Sequence, residues 1–135
     1  MSTDGRLLRI ARYIWAAPCS AVGLVLGMPM LMAGGRARRN AGVIEICGSG
    51  SARTRRTRFG AITFGHVVIG LNEPVLDQLR AHELEHVRQY ERWGPIFFLA
   101  YPAASLWQLL RGRNPYWFNH FEVQCRKRCA HGNGR

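Results

Sequence analysis

Uncharged positions run unbroken over residues 13–35. As a helix, these 23 residues would extend about 34 Å, enough to cross the hydrocarbon core of a membrane. Pro18, Gly23, Gly27 and Pro29 weaken such a helix, but membrane helices tolerate them better than soluble ones. The pattern then changes period. Residues 42–47, 59–64 and 66–69 are β-branched and aromatic and are punctuated by Gly60, Gly65 and Gly70. They predict short strands, the last two either separate or joined through a bulge at Gly65, in a small antiparallel sheet. Asn72-Glu73-Pro74 is a helix start and Gly94-Pro95 a helix stop, which predicts a helix over about 75–93. Residues 95–110 are apolar almost all round, with Pro102 expected to kink them. They predict a buried core helix, a membrane-dipping segment or a partner for 13–35. Asn114-Pro115 opens a last helix of about 115–130, with an apolar stripe of Phe118, Phe121, Cys125 and Cys129 and with Glu122 at its edge.

These elements predict an α+β chain in which a small antiparallel sheet packs on the 75–93 helix and the C-terminal helix. An N-terminal apolar, transmembrane helix precedes them. The expected organisation is a basic segment and membrane anchor over 1–40, a small domain over 41–131, and a flexible tail over 132–135. A cleaved signal peptide is the rival reading of the first segment. The apolar run is long for one, and no A-x-A site closes it.

Charge refines this picture. The chain of 135 residues carries a formal +11, and arginine supplies all of its cations except Lys127. The arginines flank apolar segments: Arg6, Arg9 and Arg12 before the long run; Arg36, Arg38, Arg39, Arg53, Arg55, Arg56 and Arg58 after it. That placement favours membrane lipid over nucleic acid as a partner. The heavier load on the C-terminal side puts the domain on the cytoplasmic face of the membrane. Four cysteines, two of them i,i+4 at Cys125 and Cys129, do not make a disulfide framework. Cys125, Cys129 and His131 lack a second pair to complete a tetrahedral metal set.

The chemistry lies in the 75–93 helix, where His82-Glu83-Leu84-Glu85-His86 reads H-E-x-x-H. The spacing stacks two imidazoles one turn apart, able to ligate zinc, beside a carboxylate able to serve as a base. On a helical wheel, His82, Glu83 and His86 fall within the apolar arc of Val75, Leu76, Leu79, Leu84, Val87, Tyr90 and Trp93. Glu85 falls on the opposite, solvent arc with Asp77, Gln78, Arg88 and Arg92. A buried Glu83 needs a partner or a metal. A catalytic zinc site needs a third protein ligand. Of Glu91, His120, Glu122 and His131, only Glu122 combines a separate helix with a position along that helix's apolar stripe.

The order of strand, H-E-x-x-H helix and downstream glutamate resembles the gluzincin class of zinc metallopeptidases. Residues 60–92, through Thr63-Phe64-Gly65 and Leu79-Arg80-Ala81-His82-Glu83-Leu84-Glu85-His86-Val87-Arg88-Gln89, are similar to small bacterial zincin-like domains. The resemblance implies zinc on His82, His86 and Glu122, Glu83 as general base, and a peptide or protein substrate lying along the strand near 62–69. It also implies a bacterial cytoplasmic membrane as the setting. Tyr101, Tyr116, His120 and His66 are the candidate oxyanion donors. Two other readings stand beside it. One is a non-catalytic, membrane-anchored domain with a structural zinc or core histidines. The other is a basic membrane-surface or nucleic-acid-binding protein.

Overall fold

The computed structural model describes residues 3–49 and 60–132. Arg53, Arg55, Arg56, Arg58 and Phe59 lie outside the described residues. Helix α1 (Thr3–Met32) leads into strands β1 (Arg36–Asn40), β2 (Val43–Cys47), β3 (Ala61–Phe64) and β4 (Val67–Gly70). Helix α2 (Glu73–Trp93), a short 3₁₀ turn, α3 (Phe97–Leu110) and α4 (His120–Gly132) follow. The fold is α+β.

The sheet order is β1-β2-β4-β3. β1–β2 and β3–β4 pair antiparallel, but β2–β4 pair parallel, with Ile44 opposite Val67 and Ile46 opposite Ile69. The sheet is therefore mixed, which corrects the antiparallel expectation. The reason is topological: β3 runs opposite to β2 one position away, and β4 turns back from β3 into the gap between them, so β4 runs the same way as β2. Residues 61–64 and 67–70 are two strands, and His66 sits in the tight turn between them rather than in a strand.

Strand β1 was not foreseen. Its sequence, Arg36-Ala37-Arg38-Arg39-Asn40, reads as a basic flank, and it is an exposed edge. Ala41 and Gly42 both take positive φ, 51° and 78°, which closes a two-residue hairpin onto β2. Arg38 then crosses to β2 and donates to Glu45 at 3.0 Å.

Helix α1 is long and apolar enough to cross a membrane, and most of its apolar stretch is exposed. One narrow face nevertheless packs on the domain. Ala16, Cys19, Gly23 and Gly27 are buried, a stripe of small residues at helical spacing. A Cβ at Gly23 would stand 2.9 Å from the Cβ atoms of Phe64 and Val67, so the sheet lies directly against the helix backbone. Tyr13 donates to the Gly42 carbonyl at 2.5 Å, and Ser20 Oγ accepts from the His66 amide at 2.9 Å. Ile14, Val25, Leu26 and Met32 point outward and are exposed.

Helix α2 begins as expected. Asn72 Oδ1 caps it by accepting from the Val75 amide at 3.0 Å, and Gly94 ends it at φ 57°. Its face toward the sheet and toward α4 buries Val75, Leu76, Val87 and Tyr90. Two expectations from the wheel fail. Glu85 is buried, not solvated, because α4 covers that flank and brings Arg128 to 3.5 Å from its carboxylate; Arg88 pairs with it as well. Trp93, assigned to the buried arc, is 40% exposed. Helix α4 starts at His120 rather than 115, after a turn in which Asn114 Oδ1 accepts from the Tyr116 and Trp117 amides. Phe118 therefore lies before the helix and is exposed.

Candidate metal centre

The two imidazoles of α2 and one carboxylate of α4 meet at a single point. His82 Nε2 and His86 Nε2 are 3.2 Å apart. Glu122 Oε2 lies 2.9 Å from His82 Nε2, and Glu122 Oε1 lies 3.2 Å from His86 Nε2. Ligands held 2.0–2.1 Å from a tetrahedral zinc stand about 3.3 Å from one another. The three separations match that spacing. Glu122 Oε2 is buried and, despite its closeness to His82, makes no properly directed hydrogen bond. A donor atom aimed at its neighbours but not bonded to them fits a ligand set.

The surroundings prepare each donor. His86 Nδ1 is 2.9 Å from Gln89 Oε1. The Gln89 amide nitrogen donates to the Phe121 carbonyl and to Gln124 Oε1, both at 2.9 Å, so its oxygen must be the acceptor toward His86. That network assigns the proton to Nδ1 and leaves the Nε2 lone pair toward the centre. Burial opposes charge on His86, but Cys125 and then Glu122 beside it outweigh this and push it up to about 11 when no metal competes. Burial likewise disfavours the charged Glu122, yet the imidazoles of His82 and His86 beside it hold it well below the usual carboxylate range. Tyr101 donates to Glu122 Oε1 at 2.6 Å and fixes its orientation. Asn119 joins α3 to α4. Its amide reaches Ser105 Oγ at 2.7 Å and the Tyr101 carbonyl at 3.1 Å, while its oxygen accepts from the Phe121 amide at 2.9 Å.

Glu83 is buried beside the centre, and its Oε2 accepts from Thr63 Oγ1 on β3 at 2.6 Å. The sheet thus aims the carboxylate that the helix presents. Glu83, His82, His86 and Glu122 all line one cavity of about 490 Å³. Tyr116 lines it too. Burial, then Glu122 and Glu83, push its phenol up to about 12, so it keeps its proton and can donate. Of the other proposed donors, Tyr101 also lines the cavity but donates to Glu122. His120 is exposed and packs edge-on against Phe121. His66 stacks on Tyr13 and pairs with Glu91 at 2.9 Å.

Cys125 is buried, as its place in the apolar stripe of the last helix predicts. Its neighbour is not Cys129 or His131. Its Sγ instead lies 3.6 Å from His86 Nδ1 and 3.9 Å from Nε2. His82, His86 and Cys125 offer donor atoms all within 4.8 Å of one another. The thiol is nearly equidistant from the two nitrogens of His86, however, and the carboxylate oxygens of Glu122 stand nearer to the Nε2 atoms, at 2.9 and 3.2 Å. Gln89 and Thr63 were also unassigned; the only local hint was Gln89 three residues beyond His86, on the same helix face. The chain matches no known protein family, no curated protein and no solved structure.

Proposed function

We propose that the protein is a membrane-associated zinc hydrolase of the gluzincin-like type that cleaves peptide bonds. The observation that carries this reading is the convergence of His82 Nε2, His86 Nε2 and the Glu122 carboxylate within 2.9–3.2 Å, with Glu83 buried beside them. His82, His86 and Glu122 would hold the ion. Bound there, zinc supplies Lewis-acid activation of water and of the substrate carbonyl. Glu83 removes a proton from the attacking water as the new carbon–oxygen bond forms. It then gives that proton to the departing nitrogen as the carbon–nitrogen bond breaks. Thr63 keeps the Glu83 carboxylate pointed at the cavity throughout. Tyr116, protonated, donates to the carbonyl oxygen as negative charge grows there. The exposed apolar face of α1 supports a membrane location.

The test has two parts. Elemental analysis of the purified chain should give about one zinc per chain, lost in His82→Ala and in Glu122→Ala. Glu83→Gln should keep the zinc and slow cleavage of a mass-spectrometry peptide library by about 10²- to 10⁴-fold. Zinc retained in Glu122→Ala would remove the third ligand from the scheme; undiminished cleavage by Glu83→Gln would remove the base.

A second reading rests on Cys125. Were its thiolate to complete a four-ligand set, the site would be closed and structural rather than open and catalytic. X-ray absorption at the zinc edge separates the two. A sulfur at about 2.3 Å supports the structural site, and a shell of nitrogen and oxygen alone supports the open one.

A further inference from the structure

The cavity beside the candidate metal centre has an unusual lining for so basic a chain. Among the described residues, no arginine or lysine lines it. Its charged or metal-ligating groups are His82, Glu83, His86 and Glu122, which belong to the centre. Apart from Thr63 and three tyrosines, the rest of the described wall is apolar, from Ile69 and Leu79 to Phe97 and Phe98. Its rim is apolar as well. Ile62, Leu71 and Pro102 line the cavity and are exposed. A cavity opening to water and receiving polar molecules would gain from polar groups at that rim. Met30, near the C-terminal end of α1, forms part of the wall, and α3 forms another part. Both helices carry exposed apolar faces, α3 through Leu99, Leu106, Leu109 and Leu110. The cavity is thus walled in part by two helices whose other faces are apolar and exposed.

We propose that this cavity binds a hydrocarbon chain, the acyl tail of a molecule residing in the membrane, with the polar end of that molecule toward His82 and Glu83. Away from the centre, each further buried peptide amide would need a partner, and the apolar wall there offers few. An acyl chain needs none. The proposal rests on the reading of α1 as a membrane helix, but not on zinc or on cleavage. Burial of each methylene strengthens binding about fourfold.

The test uses the full chain in phosphatidylglycerol–phosphatidylethanolamine vesicles containing a fatty acid with a photoactivatable diazirine at mid-chain, with and without zinc. A parallel arm carries the same diazirine on a phospholipid acyl chain, which separates a free fatty acid from a lipid-borne one. Adducts are mapped by mass spectrometry. Labelling is expected on peptides containing Ile62, Leu79 and Phe98, and separately on the outer face of α1 at Val25 and Leu26. Ala61→Trp and Leu79→Trp narrow the cavity; excluding two methylenes should cut the cavity adducts about fifteenfold. The α1 adducts should not change, which reports that each variant is folded and inserted. Labelling of α1 without labelling of the cavity overturns the proposal and leaves the membrane reading standing. Labelling of neither overturns both. Displacement of the cavity label by an apolar decapeptide, but not by unlabelled fatty acid, assigns the cavity to polypeptide and also overturns it.

Discussion

Gln89 settles which nitrogen of His86 faces Glu122. Its amide nitrogen is occupied twice on the α4 side, by the Phe121 carbonyl and by Gln124, so only its oxygen can meet His86 Nδ1. Partners of this kind, one bond removed from the metal, are typically worth 10- to 100-fold in affinity. Gln89→Leu should therefore weaken zinc binding by about that range in a competition with a chromogenic chelator, while helix content by circular dichroism stays constant. Thr63→Val makes the complementary point. It removes the hydroxyl that holds Glu83 Oε2 but touches no proposed ligand. Zinc content should be unchanged and turnover should fall; a variant with normal turnover would show that Glu83 is oriented by something other than β3.

At the scale of elements, the join between β1, β2 and α2 depends on one buried acid. Glu45 accepts from Arg80 Nε at 2.7 Å and from Arg38 Nε at 3.0 Å, and Arg38 continues to Glu73 and Asp77 on α2. Burial raises the Glu45 pKa, but Arg80 and then Arg38 outweigh it and hold the carboxyl below its ordinary value of 4.5. A depressed carboxyl stabilises the fold fully above its unfolded value and loses that contribution as pH falls. Thermal stability should therefore decline as pH drops below about 4.5, and Glu45→Gln should flatten that decline. Glu45→Ala should cost about 3 kcal/mol near neutral pH, measured by denaturant unfolding, because two arginines lose their common partner. The β3–β4 turn gives a second element-level expectation. Gly65 has φ 60°, and a Cβ there would stand 2.7 Å from the Ser20 nitrogen and 2.8 Å from the Ala16 oxygen, both backbone atoms of α1. Neither can move without moving the helix. Gly65→Ala should lower stability by about 2 kcal/mol and loosen α1 from the sheet, read as faster amide exchange at 16–20.

For the whole molecule, α1 has two roles that usually belong to separate segments. Its outer face has the length and apolarity of a membrane span, and its inner face supplies Ala16 and Cys19 to the core with Tyr90, Phe97 and Phe121. Removing α1 would uncover that cluster. A chain beginning after Gly34 is expected to lose cooperative unfolding by calorimetry and to aggregate, rather than to survive as a soluble catalytic domain; a sharp, reversible transition would count against this. The same packing explains why α1 has glycines and alanine on one face and large apolar residues on the other. Close approach to the sheet requires small side chains, and the opposite face is under no such constraint.

What the sequence determined by itself was local. Caps at Asn72 and Gly94, the i,i+4 spacing of His82 and His86, and the uncharged run over 13–35 depend on neighbours within one or two turns. Periodicity on α4 also selected Glu122, since a helix face is local information. The tertiary structure decided what depends on residues distant in the chain. The parallel β2–β4 pairing follows from the path of the chain, not from any residue in either strand. Strand β1 has no apolar alternation to reveal it and is held by Glu45 from the neighbouring strand. Glu85 reads as solvated until α4 brings Arg128 against it, and Cys125, buried as its stripe predicts, meets His86 through the packing of α4 on α2. A helical wheel records which residues share a face; only the packing of the other elements decides which face water reaches.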